Sequence, residues 1–446
     1  MIVSFIYWTN AGWKSTVKTR PIRSLFRDCH HVSPSLTRFI DARACRGRGQ
    51  GYLCRGTPAL HRAQLALFAA GFATFSLLYC VQPLMPLFTH NFQISPVQSS
   101  LSLSLSTGML ALAIFAVGLW SQALPRKGLM AASLIASAIL GLMAASLIAS
   151  AILGTLAAFA PDWNSLLVLR ALQGVAMGGV PAVAMAYLAE EVEPGTLGFA
   201  MGLYISGSAF GGLTGRVITG LVSDFFGWRA ALGTLGLLAL LAAVLFTWLL
   251  PASRRFVATR GNGWREARRG LAAHLRNGPL VSLFLLGGLL MGSFVTVYNY
   301  VGFRLLQPPF SLSQAFIGSI FVVYLVGIFA STFFGRLADR HGRGIMLVMG
   351  TVLTLSGLLL TLSNNLAVLV IGIVVFTFGF FASHAVASGW VGQMARGYKA
   401  QAASLYLLVY YLGSSVLGSV GGKSWALAGW AGVAELTGHF YWWRWA

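Results

Sequence analysis

Apolar runs of about 20 residues follow one another along the chain from Gln64 onward. A run of that length forms a helix of about 30 Å, which is the thickness of the hydrocarbon core of a bilayer. Since 57% of the 446 residues are hydrophobic and 9% are charged, the chain has too little polar surface to cover a soluble globule. The sequence therefore predicts an all-α polytopic membrane protein that is surrounded by a lipid bilayer.

The apolar spans form two sets, which a polar, arginine-rich stretch separates. The first set covers approximately 65–88, 99–120, 129–160, 165–189, 199–223 and 230–250. The second set covers approximately 280–303, 315–334, 345–362, 366–390 and 402–420, with a weak twelfth span at 428–443. Transporters that are built from two similar halves have this organisation. We therefore expect a basic, disordered cytoplasmic tail at 1–62, a six-helix half at 63–250, a cytoplasmic central loop at 251–279 and a second half at 280–446.

The formal net charge of +21 is distributed unevenly between the loops. With the amino terminus in the cytoplasm, the inward loops carry most basic residues of the membrane part, whereas the outward loops carry only Arg229, Arg304 and Lys423. This asymmetry follows the positive-inside rule and sets the orientation. The basic residues therefore indicate topology, and we expect no binding of nucleic acid.

No residue pattern indicates a metal site, a cofactor or a catalytic centre. The four cysteines, Cys29, Cys45, Cys54 and Cys80, show no CxxC pairing, and no HExxH spacing occurs in the chain. An enzyme embedded in the membrane would need clustered aspartates or histidines, or a nucleophile with its base, at one membrane face. Since the sequence shows none of these, we expect no metal, no cofactor, no disulfide framework and no enzymatic activity.

Residues 128–153 contain the phrase GLMAASLIASAIL twice without a change. With both copies the third span covers 129–160 and would be about 48 Å long, against about 30 Å of hydrocarbon. Tilt alone would need an angle of roughly 50°, beyond the range of about 0–40° for membrane helices. We interpret the repeat as an accidental duplication that lengthens the third helix. The charged last stretch, 432–446, predicts a truncated twelfth helix, with a half-inserted interfacial segment as the alternative.

After the eighth span the chain reads GRLADRHGRG over residues 335–344, and a degraded counterpart, GLWSQALPRKG, follows the second span at 118–128. The first stretch resembles the signature loop of the major facilitator superfamily, which reads G-x-L-a-D-r-x-G-r between the second and third helices of each half. Its glycines permit a tight turn, and a carboxylate with a guanidinium can lock neighbouring helix ends in one state of a rocking cycle. The counterpart lacks the carboxylate. The matching residues are Gly335, Leu337, Asp339, Arg340, Gly342 and Arg343.

RALQG, residues 170–174 on the fourth span, is similar to the R-x-x-q-G pattern of the same family. In that family the arginine is implicated in coupling to the substrate or to protons. An arginine inside the membrane costs roughly 3 kcal/mol or more unless it is paired or hydrated, so it marks a functional site by default. We therefore expect Arg170 to act in substrate binding or coupling.

SGSAFGGLTGRVITG, residues 206–220 on the fifth span, resembles the glycine-rich antiporter motif of the family, G-x-x-x-G-P-x-x-G-G. In this chain Gly212 replaces the proline of the motif and Arg216 replaces a small residue, so helix packing and a coupling role both remain open. Three glycines at every fourth position fall on one helix face and would let another helix pack closely. These are Gly207, Gly211 and Gly215.

The resemblance covers roughly residues 62–432 and is strongest to the bacterial efflux-type permeases of this superfamily. It implies two six-helix halves around a central cavity, in a monomeric secondary transporter of the bacterial inner (plasma) membrane. Such a transporter works by alternating access, and we expect protons as its coupling ion. Export of a small amphipathic or anionic molecule is the preferred interpretation, and uptake of a small metabolite is the alternative.

All ten acidic residues fall in tails, loops or helix ends, so no carboxylate is expected at the centre of the bilayer. The embedded ionisable candidates for substrate binding or coupling are Arg170, Arg216 and His384. His384 is the best titratable group available, with a hydrogen-bonded core position as the alternative. The resemblance also places polar and aromatic residues of the first and seventh spans on cavity-lining helices, with anchoring at the membrane interface as the alternative for the tyrosines. These further candidates are Gln82, Tyr298 and Asn299.

Overall fold

The computed structural model describes residues 52–53, 56–123, 129–251, 263–395 and 398–442. These residues are almost entirely helical, apart from turns and an isolated bridge between Leu53 and Val192. Seven helices among them are long and apolar enough to cross a bilayer. The prediction of an all-α polytopic membrane protein is therefore confirmed.

The helices of the amino-terminal half are α1 (Pro58–Tyr79), α2 (Met85–Phe92), α3 (Pro96–Ala123), α4 (Leu129–Ala157), α5 (Trp163–Met177), α6 (Gly179–Glu191) and α7 (Pro194–Leu249). Helix α7 bends at Gly227, whose φ of 79° favours glycine, so two membrane spans follow each other within it. Asp162 caps the amino-terminal end of α5, where its Oδ1 accepts a hydrogen bond from the backbone N–H of Ser165 at 2.8 Å. This bond holds the pKa of the Asp162 carboxyl below its usual value.

The remaining helices are α8 (Gly263–Leu275), α9 (Gly278–Leu306), α10 (Gln314–Ile320), α11 (Tyr324–His341), α12 (Arg343–Leu360), α13 (Leu366–Met394) and α14 (Lys399–Trp442). A 3₁₀ turn, Phe321–Val323, connects α10 and α11. Helix α14 bends at Ala428 and Gly429. The described part after this bend, 430–442, is roughly 20 Å long, which is shorter than the hydrocarbon core.

The first membrane segment is broken in its middle. Our prediction of one continuous span over 65–88 is wrong, because α1 ends at Tyr79 and α2 begins only at Met85. Pro83 explains the break, since proline has no N–H to donate to the carbonyl of Tyr79 and its ring clashes with that carbonyl in a helix. A tight turn replaces the helix, in which the N–H of Gln82 bonds to the oxygen of Tyr79 at 3.2 Å.

The stretch that we expect to be a central loop, 251–279, contains helix α8. Ala267, Leu271 and His274 recur on one face of this helix, the spacing of an amphipathic helix. The buried His274 has its Nε2 3.2 Å from the backbone oxygen of Tyr398, at the start of α14. The many arginines of this stretch hid the helical pattern from the sequence analysis.

We call the two ends of the bundle the basic end and the far end. The basic end carries α8 and the turn between α11 and α12, with the exposed side chains of Arg268 and Arg340. The far end carries the turn between α2 and α3 and the bend of α7. There the ring of Phe88 packs on those of Trp163 and Trp228, with centroids 5.7 and 5.5 Å apart.

The two halves meet in the part of the bundle nearer the far end. Between α3 and α14, the hydroxyls of Ser415 and Ser419 donate hydrogen bonds to the backbone oxygen and the hydroxyl of Ser104, at 2.7 and 2.8 Å. Between α7 and α10, a Cβ added to Gly220 would lie 2.6 Å from the Cα of Gly318. The backbones therefore touch there, and the halves are closed against each other on this side.

The duplicated phrase forms one continuous helix, α4, as predicted. The second copy packs into the bundle, since Met143, Leu147 and Ala151 are buried along one face. A Cβ added to Gly179 would lie 2.4 Å from the hydroxyl of Ser146, so α6 also packs closely on this copy. Of the first copy, 128–140, only the helical backbone from residue 129 is among the described features.

Candidate functional site

Two buried arginine side chains contact the turn that separates α1 from α2. Arg170 on α5 contacts the last turn of α1, and Arg216 on α7 contacts Tyr79 and Gln82 at the break itself. Both side chains are almost fully buried, with 1% and 2% of their surface exposed. The sequence analysis singled out both residues, and the structure brings both of them to one turn.

Every nitrogen of the Arg170 guanidinium is hydrogen-bonded. Nε donates to the backbone oxygen of Ser102 at 2.9 Å, and Nη1 and Nη2 donate to the oxygens of Leu77 and Leu78 at 2.9 and 2.8 Å. Nη1 also donates to the side-chain oxygen of Gln173. The break after α1 frees the carbonyls of Leu77 and Leu78 from helical hydrogen bonds. Their partial negative charge at the helix end partly offsets the charge of Arg170. Arg170 thus ties α1, α3 and α5 together.

Arg216 has a different environment. Its Nε donates to Oε1 of Gln82 at 2.6 Å and its Nη1 to the backbone oxygen of Gly212 at 2.5 Å. No hydrogen bond of Nη2 is recorded within the part of the chain that the structure describes. Aromatic rings surround the guanidinium, which favours a cation at their faces. Its Cζ lies 4.2, 4.9 and 4.7 Å from the ring centroids of Tyr79, Phe321 and Tyr324.

A chain of hydrogen bonds leads from Arg216 into the second half. Gln82 accepts from Arg216 and donates through Nε2 to Oδ1 of Asn299 on α9 at 2.8 Å. Asn299 is buried, and its Nδ2 has no hydrogen-bond partner among the described residues. The neighbouring Tyr298 bonds through its hydroxyl to that of Thr377 on α13 at 2.6 Å. The structure therefore brings together Gln82, Asn299, Tyr298 and Arg216, which the sequence analysis named from three separate spans.

Neither buried arginine has a carboxylate partner among the described residues. In this part of the chain the single salt bridge joins Arg343 to Asp339 at the basic end. Around Arg170, carbonyl oxygens take the place of an acid, whereas around Arg216 one amide oxygen, one carbonyl and three rings do so. A buried cation without a counter-ion is costly in the membrane, so Arg216 sits in a site that would favour an anion.

His384 belongs to a separate cluster within the second half. Its Nδ1 lies 2.9 Å from the hydroxyl of Tyr406 on α14, and its ring packs on that of Tyr410 at 4.6 Å. The ring of Phe380 also stacks on the imidazole ring of His384, with ring centroids 6.0 Å apart. None of the recorded contacts of His384 is with Arg216 or Gln82. We call Arg216, Gln82, Asn299 and Tyr298, with the rings around Arg216, the arginine site. The structure does not place His384 beside it.

The signature turn at the basic end is held by one ion pair. Oδ1 of Asp339, at the end of α11, lies 3.0 Å from Nη2 of Arg343, at the start of α12. Gly342 between them has a φ of 90°, which requires glycine. A Cβ on Gly389 of α13 would lie 3.0 Å from Nη1 of Arg343, so the pair also abuts α13. Gly335 and the exposed Arg340 lie on α11. The degraded counterpart at 118–128 is described only in its helical backbone up to Ala123.

The glycine-rich stretch of α7 lies against α1. Cβ atoms added at the three glycines would lie 2.3 to 2.7 Å from backbone atoms of α1, closer than side chains allow. The two backbones therefore pack in direct contact, and this contact holds Arg216 beside the break. The facing pairs are Gly207 with Phe68, Gly211 with Phe72, and Gly215 with Ser76.

Among the described residues, no group of three His, Cys, Asp or Glu side chains lies close enough to hold a metal ion. Cys80 is a buried free thiol in the break, and the other three cysteines lie outside the described residues. The described part of the chain therefore contains no candidate metal site.

Comparison with known proteins agrees with this architecture. The sequence model of the Major Facilitator Superfamily (MFS) matches residues 67–307. The MFS-type transporter YybF of Bacillus subtilis (strain 168) is 48% identical over 385 residues, which cover 86% of this chain and 92% of YybF. The chain belongs to the Major Facilitator Superfamily. The inner membrane transport protein YnfM of Escherichia coli (strain K12) is 44% identical over 86% of this chain and 89% of its own length.

The MFS fold is also found by structural comparison. A solved D-xylose-proton symporter superposes with a TM-score of 0.66 at 15% identity, over 87% of this chain and 97% of the symporter. At this identity the likeness concerns the fold alone. The resemblance that the signature turn indicates, and the MFS fold that it implies, are thus confirmed, and this MFS protein is a membrane transporter.

The sequence analysis missed two aromatic walls of the arginine site. Phe321 and Tyr324 lie at the junction of α10 and α11, where an apolar span gives no reason to prefer one aromatic residue over another. The hydroxyl of Tyr324 in the middle of that span was the available signal. Gln173 is likewise an uncharged polar residue on a membrane span, and its place beside Arg170 in RALQG could have indicated a partner.

Proposed function

We propose that this MFS protein is a secondary active transporter that exports a small amphipathic or anionic molecule by alternating access. The main support for this proposal is the buried Arg216. It has no carboxylate partner among the described residues, and Gln82 connects it by hydrogen bonds to Asn299. A charge that both halves share near their interface can bind a substrate and respond to their relative movement. Arg170, Gln82, Tyr298 and Asn299 complete the proposed site.

Alternating access fits the way in which the halves meet. The contacts of Ser104 with Ser415 and of Gly220 with Gly318 close the molecule toward the far end. The distribution of basic residues makes the far end the outward one, so a substrate would enter from the cytoplasm. We propose that 63–250 and 280–446 rock as two bodies, with 251–279 as their cytoplasmic connection. The ion pair of Asp339 and Arg343 would then act as a lock of one state.

We propose protons as the coupling ion, with His384 as the titrating group. Among the described residues within the membrane spans, His384 is the histidine with a position in the middle of a helix, and it is hydrogen-bonded to Tyr406. The chain carries both halves itself, so we propose that it acts as a monomer in the bacterial inner membrane, without enzymatic activity or a cofactor.

Transport by the purified protein in liposomes tests this function. In vesicles whose basic end faces outward, a pH gradient that is acid inside should drive accumulation of the exported molecule. Radiolabelled benzoate and a neutral aromatic amide are suitable first probes, and protein-free liposomes are the control. Accumulation only under the opposite gradient would establish the uptake permease instead. Accumulation that ignores the pH gradient would exclude proton coupling.

A further inference from the structure

The two buried arginines differ in how far the protein satisfies them. All three nitrogens of Arg170 donate to oxygen atoms of the protein, whereas no partner of Nη2 of Arg216 is recorded within the described residues. Nη2 of Arg216 is therefore available to a ligand, and the charge of this side chain has no counter-ion among the described residues. Arg216 is therefore the arginine with capacity for a ligand.

Two further buried donors near Arg216 have no hydrogen-bond partner in the part of the chain that the structure describes. Nδ2 of Asn299 lies at the end of the hydrogen-bond chain that begins at Arg216, and the hydroxyl of Tyr324 belongs to a ring 4.7 Å from the guanidinium carbon. Asn299 and Tyr324 are 1% and 7% exposed, so bulk water does not replace the missing partners. An amide N–H and a phenol O–H both donate, and carboxylate oxygens accept up to four such bonds.

The hydrogen-bond chain also orients Asn299. Arg216 donates to the oxygen of Gln82, and the nitrogen of Gln82 donates to the oxygen of Asn299. This order points Oδ1 of Asn299 toward Gln82 and leaves its Nδ2 as the atom without a partner among the described residues. Each bond polarises the next, so the charge of Arg216 strengthens the free donor at the other end of the chain. Nη2 of Arg216 and Nδ2 of Asn299 are both donors, so the site offers hydrogen bonds to an acceptor.

The surroundings of these donors are flat and apolar. The ring of Tyr298 lies 5.2 Å from those of both Phe321 and Tyr324, and 4.8 Å from that of Phe294. Aromatic rings stack on planar ligands and exclude water from them. Rings of this kind favour a ligand that carries a planar apolar body beside its anionic group.

We infer that Arg216, Asn299 and Tyr324 bind the anionic group of the transported molecule, an organic monoanion with a planar apolar body, and that Arg170 is a positioning residue. This inference rests on the proposed function for its physiological meaning. The site itself can be tested on detergent-solubilised protein, because binding requires no transport.

The first experiment measures binding of benzoate, indole-3-acetate and 2-naphthoate to the purified full chain by equilibrium dialysis. Each anion is compared with the neutral amide of the same skeleton. At least one anion should bind roughly 100-fold more tightly than its amide, and Arg216→Gln, which keeps a donor for Gln82, should abolish that preference. If no anion binds more tightly than its amide, or if Arg216→Gln keeps the preference, the inference is wrong.

The second experiment separates ligand contact from structural support. Tyr324→Phe removes a hydroxyl without a protein partner, so it should weaken anion binding roughly 10-fold and leave the melting temperature of the ligand-free protein unchanged. Tyr187→Phe is the matched control, since Tyr187 is buried outside the site and its hydroxyl donates to the backbone oxygen of Pro251 at 3.0 Å, and it should change the melting temperature rather than the preference for the anion. The opposite pattern in these two variants would remove Tyr324 from the site.

Failure of the site and failure of transport give different results. Binding that is selective for the anion and depends on Arg216, without flux in liposomes, would support the site and contradict the proposed transport. Flux of a neutral compound that Arg216→Gln leaves unchanged would support transport and contradict the anion site.

Discussion

Gln82 and Asn299 join the two halves of the molecule through a buried hydrogen bond of 2.8 Å. Gln82 stands in the break of the first membrane segment, and Asn299 lies on α9, the first long helix of the second half. Because Gln82 also accepts a hydrogen bond from Arg216, the charge of Arg216 in the first half polarises the hydrogen bond to Asn299 in the second half. The break that Pro83 causes thus places a polar side chain where the halves meet.

Gln82→Glu should supply Arg216 with a counter-ion from the protein itself. We expect a higher melting temperature for this variant and an affinity for organic anions at least roughly 10-fold lower, because the carboxylate competes for the same donors. Thermal unfolding in detergent and anion binding measure the two effects. Gln82→Leu is the control, since it removes the amide without adding charge and should not raise the melting temperature. Unchanged anion binding by Gln82→Glu would contradict the role of Arg216.

Cysteines at Ser104 and Ser419 should form a disulfide, because the hydroxyl oxygens they replace are 2.8 Å apart. In a background without the native cysteines, oxidation should hold the far end closed and stop transport, and reduction should restore it. Flux in proteoliposomes before and after oxidation is the measurement, and each single-cysteine variant is the control. Full transport by the cross-linked protein would show that the far end does not open during the cycle.

Arg170→Gln should destabilise the protein. The change leaves the carbonyls of Leu77, Leu78 and Ser102 without their donors, and each buried unsatisfied group costs about 1–3 kcal/mol. We expect a clear fall in melting temperature, whereas Arg216→Gln should leave it unchanged or raise it, since it removes an uncompensated buried charge. A stable Arg170→Gln protein that has lost anion binding would make Arg170 a ligand-binding residue instead.

Asp339→Asn should slow turnover and leave substrate affinity nearly unchanged. The pair with Arg343 lies at the basic end, far from the arginine site, and 68% of the Asp339 side chain is exposed. A pair of this exposure contributes roughly 0–1 kcal/mol to stability, so the melting temperature should not move measurably. Initial flux rates over a range of substrate concentrations separate kcat from KM. An unchanged kcat would remove the ion pair from the mechanism.

Deletion of 141–153 should raise the yield of folded protein. Since the copies are identical, removal of either gives the same chain, and residues equivalent to Met143, Leu147 and Ala151 remain in place against the bundle. The apolar span 129–160 then shortens from 32 to 19 residues, about 28 Å, which matches the hydrocarbon thickness. The monodisperse fraction and melting temperature of both forms, expressed side by side, measure the effect. A full-length chain that is equally stable would show that the bilayer accommodates the longer helix.

The sequence by itself determined the class of protein and its family. Long apolar spans leave a chain no soluble alternative, and the stretch from Gly335 to Arg343 is specific because a tight turn with one carboxylate and three guanidinium groups tolerates few other residues. The continuous helix α4 also followed from the unbroken apolar run of the duplicated phrase. These features depend on neighbours along the chain, so local patterns suffice to predict them.

Only the tertiary structure decided which buried charge is satisfied. Arg170 and Arg216 look alike in sequence, as single arginines on apolar helices. Their difference comes from residues more than 90 positions away, since Arg170 meets carbonyls that the break of α1 releases and Arg216 meets an amide and three rings. The energy of a buried cation depends on the atoms within a few ångströms of it, and the folding of distant segments sets those atoms.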